Sequence, residues 1–197
     1  MTGGGFDPIT IVDAFNGRHV DYVLIGGFAA ELHRAAVPPT RDIDFTPSTT
    51  EDNMVRLSAA LDDLEARIRT AGVPDGLPFA HDAGSLVRGE MWNLTCSSGD
   101  FDLSLHPSGT EGYDDLIRGA IRLHVSSGEV PVASLADIIR SKEAAGRPKD
   151  FSALPALHDR LHTEFGQSRD EQILAMSDRL DERRNALHSE NDELQGE

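Results

Sequence analysis

Tyr22-Val23-Leu24-Ile25-Gly26-Gly27, followed after a short helical segment by Thr40-Arg41-Asp42-Ile43-Asp44-Phe45, is the stretch on which the fold turns. An apolar run closed by two glycines reads as a buried strand and a tight turn. Phe28, Leu32 and Ala36 then give one packed face of a helix, which Pro38-Pro39 ends. The second run is a strand, and alternate side chains on a strand share a face. Asp42 and Asp44 therefore project together while Ile43 and Phe45 turn toward a core. Paired carboxylates suit a hard cation, and a glycine turn with free backbone N–H groups at a helix N-terminus suits phosphate. A D-x-D triplet alone is usually a solvated strand end, and Gly-Gly alone is usually only a turn. Their order, with one helix between them, is what makes the pattern specific.

Working outward, Asp7-Pro8 caps a first helix with Ile9, Val12 and Phe15 inside, ending at Gly17. Val20 to Ile25 forms the first strand. The spacing of Met54, Leu57, Leu61, Leu64 and Ile68 predicts an amphipathic helix from Glu51 to Arg69. A Gly/Pro-rich loop is expected from Gly72 to Gly84, then strands at Ser85-Leu86-Val87 and Met91 to Thr95. Asp100 to His106 alternates strictly, with Phe101, Leu103 and Leu105 inward and Asp100, Asp102, Ser104 and His106 on the other face. Either Asp100 or Asp102 can supply a third carboxylate; Asp102 is preferred because it lies mid-strand, away from the Ser97-Ser98-Gly99 turn.

A short helix is expected from Tyr113 to Ala120, and a hairpin from Ile121 to Val125 with Val130 to Val132. Ser134 to Asp137 opens a helix that Gly146 closes. Pro148 starts the next helix, bent at Pro155, and Ser168 to Glu171 opens a polar helix to about Leu187. The organisation read from this is a core over 1–133, a helical C-terminal part over 134–188 and a disordered tail over 189–197.

Composition narrows the class. The 197 residues can bury a single proper core. The lone Cys96 cannot form an internal disulfide, the N-terminus lacks the basic and apolar regions of a signal peptide, and no apolar run reaches membrane length, so a cytoplasmic protein without membrane contact is expected. The net charge of -16 opposes nucleic-acid binding. From Glu164 onward ten acidic residues face four basic ones, so part of that charge lies in the tail. Any RNA would depend on a local basic patch and bind in a salt-sensitive way.

Lys142-Glu143-Ala144-Ala145-Gly146-Arg147-Pro148-Lys149-Asp150 is the other unusual cluster. Taken alone it is a helix end with cations favourably placed against the C-terminal dipole. Candidate ligands are all oxygens, which favours Mg²⁺ or Mn²⁺ over zinc, and such ions on two or three aspartates can support transfer of a nucleotidyl group. His158 and His162 lack the further ligands of a zinc enzyme, and there is no Walker A or G-x-S-x-G motif.

The Gly-Gly turn, helix and D-x-D resemble the signature of the DNA polymerase β-like nucleotidyltransferase superfamily. The Lys142 to Asp150 segment resembles the K…R-x-[KR]-D motif of its AbiEii-type toxins, nearest to the MenT-type tRNA nucleotidyltransferases. That resemblance implies an α/β (α+β) fold with a mixed sheet flanked by helices and a helical C-terminal part. It implies metal ligation by Asp42, Asp44 and Asp102, and catalytic roles for these with Lys142 and Asp150. It further implies nucleotide contacts at Gly26, Gly27, Thr40, Arg41 and Lys142, and RNA contacts at Arg147 and Lys149. The implied activity is Mg²⁺-dependent addition of nucleotides from an NTP, with a pyrimidine preference for CTP or UTP, to the 3′ end of tRNA. Aminoacylation is thereby blocked. The partner is a cognate antitoxin, which can be a kinase acting on Thr40. Gly27 departs from the pattern, since many relatives place serine there. Two other functions remain open to the sequence: nucleotidyl transfer to an antibiotic or a protein, and a non-catalytic scaffold that binds a nucleotide or partner.

Overall fold

A computed structural model describes residues 5–164 and 166–195. One mixed sheet of eight strands runs in the order β4-β3-β5-β6-β2-β1-β8-β7. The chain enters through α1 (Pro8–Gly17), whose N-cap Asp7 accepts from the N–H groups of Ile9 and Thr10 and whose Pro8 occupies the first turn. β1 (Tyr22–Ile25) leads into α2 (Gly26–Leu32), and β2 (Asp42–Pro47) returns antiparallel beside β1. Ile11, Phe15, Leu24, Phe45 and Phe101 are buried in the core, where Phe15 lies 4.6 Å from Phe45 between ring centroids. Ile43 and Phe45 bury on one side of β2 and leave the aspartates on the other, as alternation demands.

Three expectations fail in the next segment. α3 (Glu51–Asp63) stops at Asp63, and Arg67–Thr70 is strand β3 rather than helix. Glu65 adopts a positive φ of 49°, which turns the chain, so Ile68 continued the helical spacing only by coincidence. The expected loop contains β4 (Val73–Leu77), an edge strand antiparallel to β3. Ser85-Leu86-Val87 lies in helix α4 (Ala83–Arg88), which a reciprocal pair of hydrogen bonds between Asp82 and Ser85 starts. α2 also ends sooner than the apolar stripe suggested: Arg34 has φ 59°, Ala35 is buried and Ala36 is exposed.

β5 (Met91–Cys96) and β6 (Gly99–Ser104), each expected as a strand, pair as a hairpin, and β6 then lies parallel to β2. After α5 (Tyr113–Gly119), the hairpin β7 (Ile121–Val125) and β8 (Gly128–Val132) extends the other side of the sheet, with β8 parallel to β1. α6 (Leu135–Ala145) is capped by the Ser134 hydroxyl and closed by Gly146 at φ 62°. α7 (Pro148–Glu164) runs through Pro155 as one element. Its end is tied to the end of α2, where buried His33 meets Glu164 at 3.0 Å and the Ala133 carbonyl at 2.9 Å. α8 (Arg169–Gln195) begins with the expected Ser168–Glu171 box, but the helix continues past Ser189, correcting the expectation of disorder there; Gly196 and Glu197 lie outside the described residues. Among the described residues no helix is long and apolar enough to cross a membrane.

Candidate active site

Parallel pairing of β2 with β6 decides the geometry. Asp42 lies opposite Asp100, and Asp44 lies opposite Asp102, so four carboxylates occupy one face of two adjacent strands. The row continues across the sheet, since Asp102 lies opposite Asn93 on β5 and Arg69 follows the Ile68–Leu94 pair on β3. Asp102 is the more sheltered of the two candidates for the third carboxylate, with 17% of its side chain exposed against 40% for Asp100. Arg69 donates to both, at 2.9 Å to Asp100 and 2.7 Å to Asp102.

Asp42, Asp44 and Asp102, but not Asp100, line a cleft of about 670 Å³. Gly26, Gly27 and Thr40 line it, as do Arg69, Asn93, Ser104 and His106, and Lys142, Arg147 and Lys149 add a cationic wall. In the sheet order the carboxylate strands β2 and β6 lie between β3, which carries Arg69, and β8, after which α6 carries Lys142. Cations thus flank the carboxylates on both sides.

Gly26 is required by both backbone and space: its φ is 74°, and a Cβ there would collide with the Asp44 carboxylate. The Gly27 N–H favours the charged form of Asp44, and a Cβ at Gly27 would stand 3.3 Å from that of Thr40. A serine at Gly27 would need Thr40 to give way by a few tenths of an ångström. The Thr40 hydroxyl donates to Asp42.

Electrostatics mark Asp44 as the strained member. Burial, then the neighbouring charges of Asp42 and Asp102, push its carboxyl up to about 7 against a weaker opposing pull from Lys149. Asp102 is raised as well, by burial first, with Arg69 working against it. Asp150 is fully buried beneath the cationic wall, where Lys142 lies at 3.1 Å and Arg147 at 2.6 Å. Burial raises its carboxyl, but those two partners outweigh burial and hold it below the ordinary range. Asp150 therefore anchors the cations and does not line the cleft.

Arg41 also stays outside. It is 73% exposed and pairs with Glu190 of α8 at 3.1 Å, away from the residues lining the cleft. Sequence reasoning missed Arg69, because the helical spacing had been carried through it; the charge alternation of Arg67-Ile68-Arg69 was the available signal. It also gave no role to Asn93, whose place follows from its pairing with Asp102, or to His106, which lines the cleft just beyond β6.

The donor set fits a divalent ion. It consists of oxygens alone, and a bound cation would offset the burial and the neighbouring charges that raise Asp44. Among the described residues no group of three or more carboxylate, imidazole or thiolate side chains is drawn together closely enough to hold a metal ion as it stands. Asp102 is instead engaged by Arg69 and Asp42 by Thr40.

By sequence the chain matches no protein-family model and no curated protein. Solved structures are similar. A lincosamide antibiotic adenylyltransferase, LnuA with lincomycin bound, superposes with a TM-score of 0.51 at 15% identity, covering 78% of this chain and 98% of that one. The antibiotic-resistance factor ANT(2'')-Ia in solution gives 0.48 at 16% identity over 94% and 95% of the two chains. ANT(2'')-Ia in complex with adenylyl-2''-tobramycin gives 0.49 at 15% identity over 88% and 96%. The mixed sheet flanked by helices and the likeness to LnuA give this chain the mixed α/β fold of that adenylyltransferase.

Proposed function

We propose that the protein is a metal-dependent nucleotidyltransferase that moves a nucleoside monophosphate from an NTP, with CTP or UTP preferred, to the 3′-terminal hydroxyl of tRNA. It would act in the cytoplasm as the toxin of a toxin–antitoxin pair. One observation carries the transferase reading: Asp42, Asp44 and Asp102 lie in register on adjacent strands and face a cleft walled by Lys142, Arg147 and Lys149.

Mg²⁺ held by the three aspartates would supply charge neutralisation on the phosphates as pyrophosphate leaves. Lys142 offers a point charge to the triphosphate, steadied by buried Asp150. Gly26 leaves the room beside Asp44 that any side chain would fill. Attack and departure are roughly in line, so with the triphosphate on the Lys142 side the acceptor hydroxyl approaches from the side of Arg69 and Asn93. Asp102 lies on that side, and its raised pKa suits a group that accepts the hydroxyl proton while the new phosphorus–oxygen bond forms and the bond to pyrophosphate breaks.

An RNA acceptor is supported by the Lys142 to Asp150 motif and by the guanidinium of Arg69, which suits an acceptor phosphate. A second reading is favoured by the net charge of -16: a small hydroxyl-bearing acceptor such as an antibiotic needs no counterion release. The fold likeness to an antibiotic adenylyltransferase agrees with it. The experiment is incubation with each α-labelled NTP, Mg²⁺ and either total tRNA or a panel of antibiotics, with products separated by size. Label on RNA supports the first reading and label on a small molecule the second. Absence of transfer to any acceptor refutes both and leaves a non-catalytic scaffold.

A further inference from the structure

We infer that Glu31 of α2 and Arg183 of α8 form a clamp on Thr40 that orients Asp42, so that the C-terminal helix is a working part of the carboxylate site. The inference rests on the metal-site reading above for its consequence, but the clamp itself is a matter of hydrogen bonds to Thr40 and one ion pair. Thr40 is gripped on both sides of its backbone. Its N–H donates to the Glu31 carboxylate, and its carbonyl accepts from Arg183 Nη2 at 2.8 Å. Glu31 and Arg183 close the triangle as an ion pair, with Nε 3.1 Å from Oε2 in a geometry that makes no hydrogen bond. Thr40 then passes the constraint on through its hydroxyl, which donates to Asp42 Oδ1 and leaves Oδ2 for a cation.

The arrangement is built at some expense. Glu31 is 1% exposed and Arg183 8%, and charged groups are seldom so deeply buried unless paired. Burial raises the Glu31 carboxyl, while the Thr40 N–H and Arg183 pull it back. A mainly polar 27-residue helix is held at this place by a narrow contact: Met176 and Leu187 are buried, and Arg183 lies between them at helical spacing on the same face. Arg34 to the Ala175 carbonyl at 3.0 Å and Arg41 to Glu190 at 3.1 Å tether its two ends. The clamp also answers a local need. Pro38 and Pro39 have no N–H, so the chain entering β2 cannot be fixed by backbone donors until Thr40. Glu31 and Arg183 are positioning residues, acting on Asp42 through Thr40.

A thermodynamic cycle separates this from a mere staple of α8 to the domain. Mn²⁺ affinity is measured from the electron paramagnetic resonance signal of the free ion for wild type, Arg183→Met, Thr40→Val and the double variant. Thermal unfolding is followed in parallel. Releasing a fixed side chain weakens binding by about threefold to tenfold, so Arg183→Met and Thr40→Val should each lose that much. The double variant should lose no more than Thr40→Val alone, because Arg183 acts through that residue. The same fold-loss from Arg183→Met in both backgrounds overturns the clamp. Should Arg183→Met fail to fold with Glu31 left unpaired, Glu31→Gln/Arg183→Met keeps an acceptor for the Thr40 N–H and carries the same cycle. Hydrogen exchange gives a metal-independent reading: the Thr40 amide should exchange at least about tenfold faster in Arg183→Met, with β1 and β6 amides unchanged. Unaltered Thr40 exchange overturns the clamp even if wild type binds no Mn²⁺, a result that would separately remove the metal-site reading.

Discussion

Asparagine in place of Asp44 should stabilise the metal-free protein, and the gain should grow as pH rises toward neutrality. The Asp44 carboxyl stands near 3.8 in the unfolded chain and is pushed up to about 7 in the fold by burial and by the charges of Asp42 and Asp102. A raised acid stabilises the fold most below its unfolded pKa, where both states hold the proton. Above that, the unfolded chain releases its proton while the folded one retains it, and stability falls through the window from 3.8 to about 7. Each pH unit in the window is worth about 1.4 kcal/mol. Between pH 5 and pH 7 wild type should therefore lose about 2 to 3 kcal/mol more than Asp44→Asn, on the order of 4–12 °C in Tm for a chain of this size. Asp102 and Glu31 are raised in the same sense and remain in both proteins, so the difference isolates Asp44. Urea unfolding in a chelator at pH 5, 6 and 7 measures it. A gap that does not widen with pH, or a variant less stable than wild type at pH 7, would refute the crowded-carboxylate account.

The cationic wall gives further tests. Lys142→Ala should weaken NTP binding and also reduce stability by about 1–3 kcal/mol, because it leaves buried Asp150 with Arg147 alone; calorimetry and thermal melts read the two effects. Lys142→Arg should restore stability better than NTP affinity, since a planar fork does not replace a point charge. Lys149→Glu or Arg147→Glu should depress labelling of RNA more than NTP binding, and equal labelling would favour a small acceptor. Thr40→Glu should be inactive, because a charge next to Asp42 competes for the ion; mass spectrometry after co-expression with a neighbouring antitoxin should find one phosphate on Thr40, and an inhibited protein without it would leave steric inhibition.

Local signals wrote most of this fold into the sequence where they were strong. The Asp7-Pro8 cap, the alternation of Asp42 to Phe45 and of Asp100 to Leu105, and the Ser134 and Ser168 caps all specify their elements by short-range physics. What could not be read depends on tertiary pairing. β4 includes Pro74 and Gly76 and forms only because β3 offers an edge, and β3 itself shared its apolar position with the preceding helix. The site divides in the same way. Asp42, Asp44 and Asp102 were legible from spacing, and register brings them together. Arg69 became visible only once β3 was paired, and Asp150 shifted from the cleft to a buried anchor for Lys142. Arg183 lies 143 residues from Thr40, a distance no local pattern bridges.

The central claim is tested most directly by transfer of an α-labelled nucleotide with Mg²⁺ and an acceptor, comparing wild type with Asp42→Asn, Asp102→Asn and Asp100→Asn. Wild type should label its acceptor and release pyrophosphate. Asp42→Asn and Asp102→Asn should each fall by about a hundredfold or more, since several kcal/mol of transition-state stabilisation is lost, while the more exposed Asp100→Asn should retain most activity. Undiminished transfer by Asp102→Asn, or no transfer by wild type from any NTP to any acceptor, would contradict the account.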